Sequence, residues 1–231
     1  MKLWVIGSVL LVAGVLLLVG TREVPMERVG PLELSAEEQA YLLDLARRTL
    51  RAHLSGAAGP TIDETTLSER LRTNAACFVT LNKGGRLRGC ILDSFMPHEA
   101  IFRNVMRNVV LAATGDPRFP LVTLEELDEI TVEISVLGRS YPIRFEDSDE
   151  LLSILRPGID GVILTTSFGS STYLPQVWEQ LPDPALFLTE LCRKHGAPGD
   201  CWKSNDLLHV ELYQATHFGE VGESDSDALH D

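Results

Sequence analysis

Positive charge is what this 231-residue chain is short of: 20 Lys and Arg stand against 33 Asp and Glu, a formal net charge of −13. A partner gripped through nucleic-acid phosphates needs clustered Lys and Arg, so that class of function is disfavoured. Aromatic residues make up only 6% of the chain. A Gly-rich phosphate loop, a dinucleotide fingerprint and a GxSxG elbow are all missing, and with them the usual sequence marks of nucleotide enzymes and α/β-hydrolases. No cofactor is indicated. The four cysteines, Cys77, Cys90, Cys192 and Cys201, match no standard zinc spacing. Cys192 and His195 with Cys201 and His209, or His209, Glu211 and His217 on one strand face, are the nearest approaches, and no metal site is expected. Two disulfides outside the cell or four thiols inside remain equally open, with a Cys192–Cys201 bridge the candidate if the domain lies outside.

Hydrophobic content is present in quantity, at 45%. One domain of moderate size with extensions is the natural expectation. Residues 3 to 20, LWVIGSVLLVAGVLLLVG, carry no charge. As a helix they span roughly 27 Å, about one hydrocarbon core. They read as a single-pass transmembrane anchor, with a cleaved signal segment or a buried helix as rivals; Leu18 and Gly20 are a poor cleavage site. Lys2, Arg22 and Arg28 leave the orientation undecided. Residues 21–33 form a linker, 34–220 the folded domain and 221–231 an acidic tail. The stretch from Gly219, with five carboxylates and no Lys or Arg, reads as a solvated, disordered end.

Within the domain, Ser35 and Glu38 form a capping box ahead of a helix whose Leu42, Leu45, Ala46, Thr49, Leu50 and Leu54 share a face. ACFVTL (76–81) and RLRGCIL (86–92) flank NKGG as a β-hairpin. A second helix runs over 97–114, with Pro97 in its first turn. Thr123 and Glu126 cap a short helix before the strand ITVEISVL (130–137). A helix over 149–156, a strand over 161–166, a hydroxyl-rich mobile loop from Thr165 to Thr172, a helix over 184–195 and one last strand over 207–218 complete the pattern. Hairpins mixed with helices predict an α+β fold with a mostly antiparallel or mixed sheet and flanking helices.

LRGCI (87–91), NVVLAATGDPRFPLVTLEELDEITVEISVL (108–137), YLPQVW (173–178) and FLTELCRKHG (187–196) resemble the AMMECR family, whose prokaryotic members are called AmmeMemoRadiSam system protein A. The resemblance runs from about Leu34 to about Glu220. It implies a larger and a smaller subdomain with a cleft, and an association with a Memo-like protein and a radical SAM protein. It implies no reaction. The family usually has glycine where Leu92 stands, which puts a close ligand approach there in doubt.

Alternation along RLRGC places Arg86, Arg88, Cys90 and Leu92 on one face. Arg88 beside Cys90 favours a thiolate, the nucleophilic form, while a buried inert thiol is the plainer reading. Gly89 leaves room for a close approach to the backbone. Glu133 is a proton-transfer candidate or a partner of Arg88. Arg118 is either an anion clamp in the cleft or paired with an Asp or Glu that locks the DPRF turn, and Asp116 stands beside it as a ligand-binding candidate. Asn104 and Asn108 line the cleft or face water, and Gln176 stands at its rim. Two functions follow: a noncatalytic adaptor or ligand-binding component, or an enzyme with Cys90 as nucleophilic or redox thiol activated by Arg88.

Overall fold

The computed structural model describes residues 30–204 and 208–220. The apolar segment 3–20 and the acidic tail 221–231 lie outside them, as does most of the linker 21–33. Among the described residues no helix is long and apolar enough to cross a membrane.

Chain order is α1 (Ala36–Leu54), α2 (Glu69–Arg72), β1 (Cys77–Lys83), β2 (Arg86–Ile91), α3 (Ile101–Thr114), β3 (Ile130–Leu137), β4 (Tyr141–Pro142), α4 (Ser148–Ile154), β5 (Gly161–Thr166), β6 (Gly169–Tyr173), α5 (Pro184–Lys194), β7 (His209–Tyr213) and β8 (Ala215–Gly219). The strands make two four-stranded sheets, β2-β1-β3-β8 and β4-β7-β5-β6. Every strand pair is antiparallel. The α+β expectation holds, with two sheets in place of one.

Local chemistry starts and stops the elements. The Ser35–Glu38 box caps α1, with Ser35 N donating to Glu38 Oε2 at 2.8 Å. Gly84 and Gly85 both take positive φ, +57° and +72°, and turn β1 into β2 in two residues. The second helix begins four residues later than the sequence suggests. Thr73 O accepts from Ile101 N, and Asn74 bridges Ala100, so the chain from Pro97 to Ala100 is drawn onto that extended segment first.

Three further expectations are corrected. The presumed single last strand is two strands in two sheets. The chain changes sheet at Gln214, where Gly138 N donates to Gln214 O at 2.7 Å. His209 and Glu211 therefore sit on a different sheet from His217. The presumed loop Thr165–Thr172 is mostly strand, because β5 and β6 pair from Val162–Tyr173 to Thr166–Gly169. Gly219 is also in regular structure, and Glu220 behind it is tied to Arg47 and to Val132 N.

Each sheet is covered on one face by helices. Helices α1 and α3 bury Leu42, Leu45, Leu50, Val105 and Val109 against Val79, Leu81, Val132, Ile134 and Val136. In the second subdomain Leu151, Phe187, Leu188 and Leu191 pack against Val162, Leu164, Val210 and Leu212, with Trp178 stacked on Phe187 at 3.7 Å. A third cluster, Ala76, Leu137, Ile163 and Tyr213 with Phe78, Leu92 and Leu174, joins the two subdomains. The remaining face of the first sheet borders this seam.

Candidate functional site

The uncovered face is set by register. On β1 the core-facing Cys77, Val79 and Leu81 are fully buried, while the alternating Phe78, Thr80 and Asn82 are only half-buried. Thr80 pairs with Cys90 on one side and with Glu133 on the other, so these three make a row across β2, β1 and β3. Beside it, Phe78 pairs with Ser135, and Ser135 with His217 of β8.

A β-bulge at Leu81/Asn82 breaks the expected alternation on β2. An extra residue turns the side chain away from its i+2 neighbour. Arg88 therefore does not serve Cys90. Its Nε and Nη2 hold Glu126 at 3.1 and 3.0 Å, and Nη1 and Nη2 donate to Pro120 O and Leu121 O at 2.8 and 3.1 Å. The Arg88 guanidinium holds the Glu126 carboxyl at about 2, well below its ordinary range.

Cys90 is half-buried, and its Sγ lies 3.3 Å from Thr80 Oγ1. Burial pushes the thiol up, against the weaker pull of Thr80, Arg118 and Lys194. The low-pKa thiolate that residue spacing suggested is thus corrected to a neutral thiol. Gly89 admits no ligand either. A Cβ there would lie 2.1 Å from Ala112 O, so the room it leaves is filled by α3.

DPRF is the lock on this strand. Cys90 N donates to Asp116 Oδ2 at 2.9 Å, and Arg118 Nη2 reaches Cys90 O at 3.4 Å. Arg118 Nε and Nη2 also fork onto Asp116 at 2.9 and 2.7 Å. This fork holds the Asp116 carboxyl at about 2. Both backbone groups of Cys90 on the outer edge of β2 are thereby engaged, which closes that edge to strand addition.

Asn104 and Asn108 neither line the cleft nor face water. Both are buried. Asn104 Oδ1 accepts from Cys77 N at 3.0 Å, and Asn108 Nδ2 donates to Cys77 O at 2.8 Å. Both amide nitrogens also reach Asp93 Oδ1, at 3.0 and 3.3 Å. They fasten α3 to the start of β1.

Glu133 is not a partner of Arg88. Its Oε1 accepts from Asn82 Nδ2 at 2.8 Å, and its Oε2 stands 3.8 Å from His217 Nε2. His217 Nδ1 lies 3.1 Å from Ser135 Oγ. Gln176 crosses from the other subdomain, its Nε2 at 2.9 Å from both Ser135 Oγ and His217 Nδ1. Asn82, Glu133, His217, Ser135 and Gln176 so form one polar track across the seam.

Lys194, at the end of α5, was not singled out by the sequence. Its Nζ donates to Thr172 O at 2.8 Å and stands 4.7 Å over the Tyr173 ring. The residue as a whole is exposed, but the protein atoms around its ammonium partly desolvate it. That desolvation, with the nearby Arg118 charge, holds it below the usual lysine range. No linear spacing relates Lys194 or His217 to the Cys90 row; the packing of α5 on β6 brings the first and the sheet switch at Gln214 the second.

Cys192 and Cys201 are bonded to each other, with Cα atoms 6.0 Å apart, so they are not metal ligands. Asp93, His98 and Glu99 bring one ligand atom each to within 4.8 Å of one another. Arg107 already spans this group, 3.4 Å from Asp93 Oδ2 and 2.9 Å from Glu99 Oε2, and supplies the positive charge a cation would bring.

Such a molecule is a two-subdomain α+β protein with a polar seam between two antiparallel sheets. The AMMECR1 family profile matches residues 43–218, and the chain belongs to that family. A Methanothermobacter thermautotrophicus protein is 37% identical over 190 residues, covering 82% of this chain and 97% of its own. A Methanocaldococcus jannaschii protein is 34% identical, covering 81% and 92%. The crystal structure of an uncharacterized protein from Pyrococcus horikoshii is similar at a TM-score of 0.73 and 33% identity, over 81% of this chain and 93% of that one.

Proposed function

We propose that this AMMECR1-domain chain is a noncatalytic adaptor that binds a small ligand in the seam between its subdomains. In this reading residues 3–20 anchor it to a membrane, and it works with a Memo-like protein and a radical SAM protein. The observation that carries the ligand-binding part is the seam face itself. Polar groups from both subdomains meet there at Ser135, His217 and Gln176, and the Cys90 thiol two strands away is kept neutral by burial. The rival reading, a Cys90 enzyme, relied on Arg88 for activation, and Arg88 is committed to Glu126. Leu92 supports the same view. It packs in the cluster joining the subdomains, at the position where the family pattern usually has glycine.

Co-purification of the Memo-like and radical SAM proteins from the source cell tests the adaptor. Cys90→Ser should retain both partners, whereas Thr80→Trp, which fills the seam, should lose them while melting cooperatively. Loss of both partners on Cys90→Ser, with an unchanged melting temperature, would sink the adaptor and restore the thiol to a central role. Fusions of export-dependent and cytoplasm-dependent reporter enzymes after residue 231 test the anchor and its orientation.

A further inference from the structure

The seam face is lopsided in charge. At its β2 end are two cations, Arg118 and Lys194. Arg118 is offset by Asp116, but Lys194 pairs with no carboxylate among the described residues. Its ammonium faces a carbonyl and an aromatic ring instead. At the β3–β8 end the surplus is of acceptors. Gln176 Oε1 is buried and has no hydrogen-bond partner among the described residues, an uncommon condition for a buried carbonyl. The amide cannot relieve this itself, because its nitrogen is held by Ser135 and His217. Among the described residues Glu133 Oε2 accepts no hydrogen bond, and His217 Nε2 stands 3.8 Å from it, beyond hydrogen-bond range.

The fold makes room for this carboxylate. A Cβ on Gly219 would come 2.8 Å from Glu133 Cγ, so the glycine lets the Glu133 side chain lie across β8. Between the two ends runs the row Cys90, Thr80, Glu133. Two strand spacings separate its ends, about 10 Å. All three side chains are partly open to solvent.

We infer that this row binds a small zwitterion, with its carboxylate at Lys194 and Arg118 and its protonated amine at Glu133 and Gln176 Oε1. The inference rests on the ligand-binding reading above and names the ligand class. A carboxylate supplies Lys194 with its missing counter-charge. An ammonium carries three N–H donors, enough for Glu133 Oε2 and the orphaned Gln176 carbonyl together. Cys90 suits the anionic end as a thiol, since a thiolate would repel it. Thr80 offers a hydroxyl midway.

Titration calorimetry with 6-aminohexanoate, hexanoate and hexylamine tests this at low salt. The doubly charged probe should bind at least tenfold more tightly than either singly charged one. Glu133→Gln should erase its advantage over hexanoate, and Lys194→Met its advantage over hexylamine, each with an unchanged melting temperature. Equal affinities for the three probes, no binding by any of them, or an advantage that survives both substitutions overturns the inference. The adaptor reading fails separately, through co-purification. Partners retained by the wild type and lost on Thr80→Trp leave it standing even where the zwitterion is refuted.

Discussion

The two faces of the sheet β2-β1-β3-β8 are built from adjacent residues and obey opposite rules. One face is closed by α1 and α3. Val79, Leu81, Val132 and Ile134 are fully buried there, and even glycine is consumed, since Gly89 lies against the Ala112 carbonyl. The other face carries Thr80 bonded to Cys90, Asn82 bonded to Glu133, and Ser135 and His217 bonded to Gln176. The two free cysteines show the same contrast. Cys77 on the closed face is fully buried, its thiol pushed far up by desolvation and used only as a neighbour of Asn104. Cys90 on the seam face is partly open. One strand alternation separates a face that specifies the fold from a face free to meet a ligand.

The sharpest way to break the closed face is Gly89→Ala. The new methyl meets helix backbone, which cannot yield without moving α3, so a loss of about 3 kcal/mol or more is expected in urea unfolding. Next is Asp116→Asn, which frees the edge of β2 and leaves Arg118 without its fork; about 2 kcal/mol should be lost. The acid response sharpens this one. The Asp116 carboxyl falls from an ordinary 3.8 to about 2 in the folded protein, so its contribution is complete above pH 4 and disappears as pH falls towards 2. Denaturation midpoints measured across that window should drop less steeply in Asp116→Asn than in the wild type.

Neighbours on β1 give the direct contrast. Val79→Ala should cost about 2 kcal/mol through cavity formation, and Thr80→Ala about 0.5 kcal/mol or less, measured in the same unfolding experiment. Equal costs would show that the seam face is packed as firmly as the core. The smallest effect is kinetic. Iodoacetamide should modify Cys90 slowly at pH 7, with a pH midpoint above that of free cysteine, and should leave Cys77 untouched until the protein unfolds.

Much of this fold was legible because its signals are local. The Ser35–Glu38 box, the paired glycines at 84 and 85, and the unbroken alternation of Ile130, Val132, Ile134 and Val136 depend on neighbours a few residues apart. Alternation puts Glu133 opposite the apolar face of its strand, and Gln176 is placed at the cleft rim; that the two meet at the seam was not legible. The readings that failed turned on single irregularities. A bulge of one residue sent Arg88 to Glu126, and a change of sheet at Gln214 divided what looked like one strand. Asn104 and Asn108 looked like surface residues because their helix face is polar; the partner that buries them, the Cys77 backbone, lies 27 and 31 residues away.

The sequence by itself determined the α+β class, the existence of most helices and strands, and which faces of them are apolar, since propensity and periodicity act over a turn or two of chain. The tertiary structure alone decided the chemistry of the seam: that Cys90 is a neutral thiol, that Arg118 is held by Asp116, and that Lys194, Gln176 and His217 converge on one row. Charge state, burial and hydrogen-bond partners depend on groups brought within a few ångströms from distant parts of the chain, and no spacing along the chain encodes those distances.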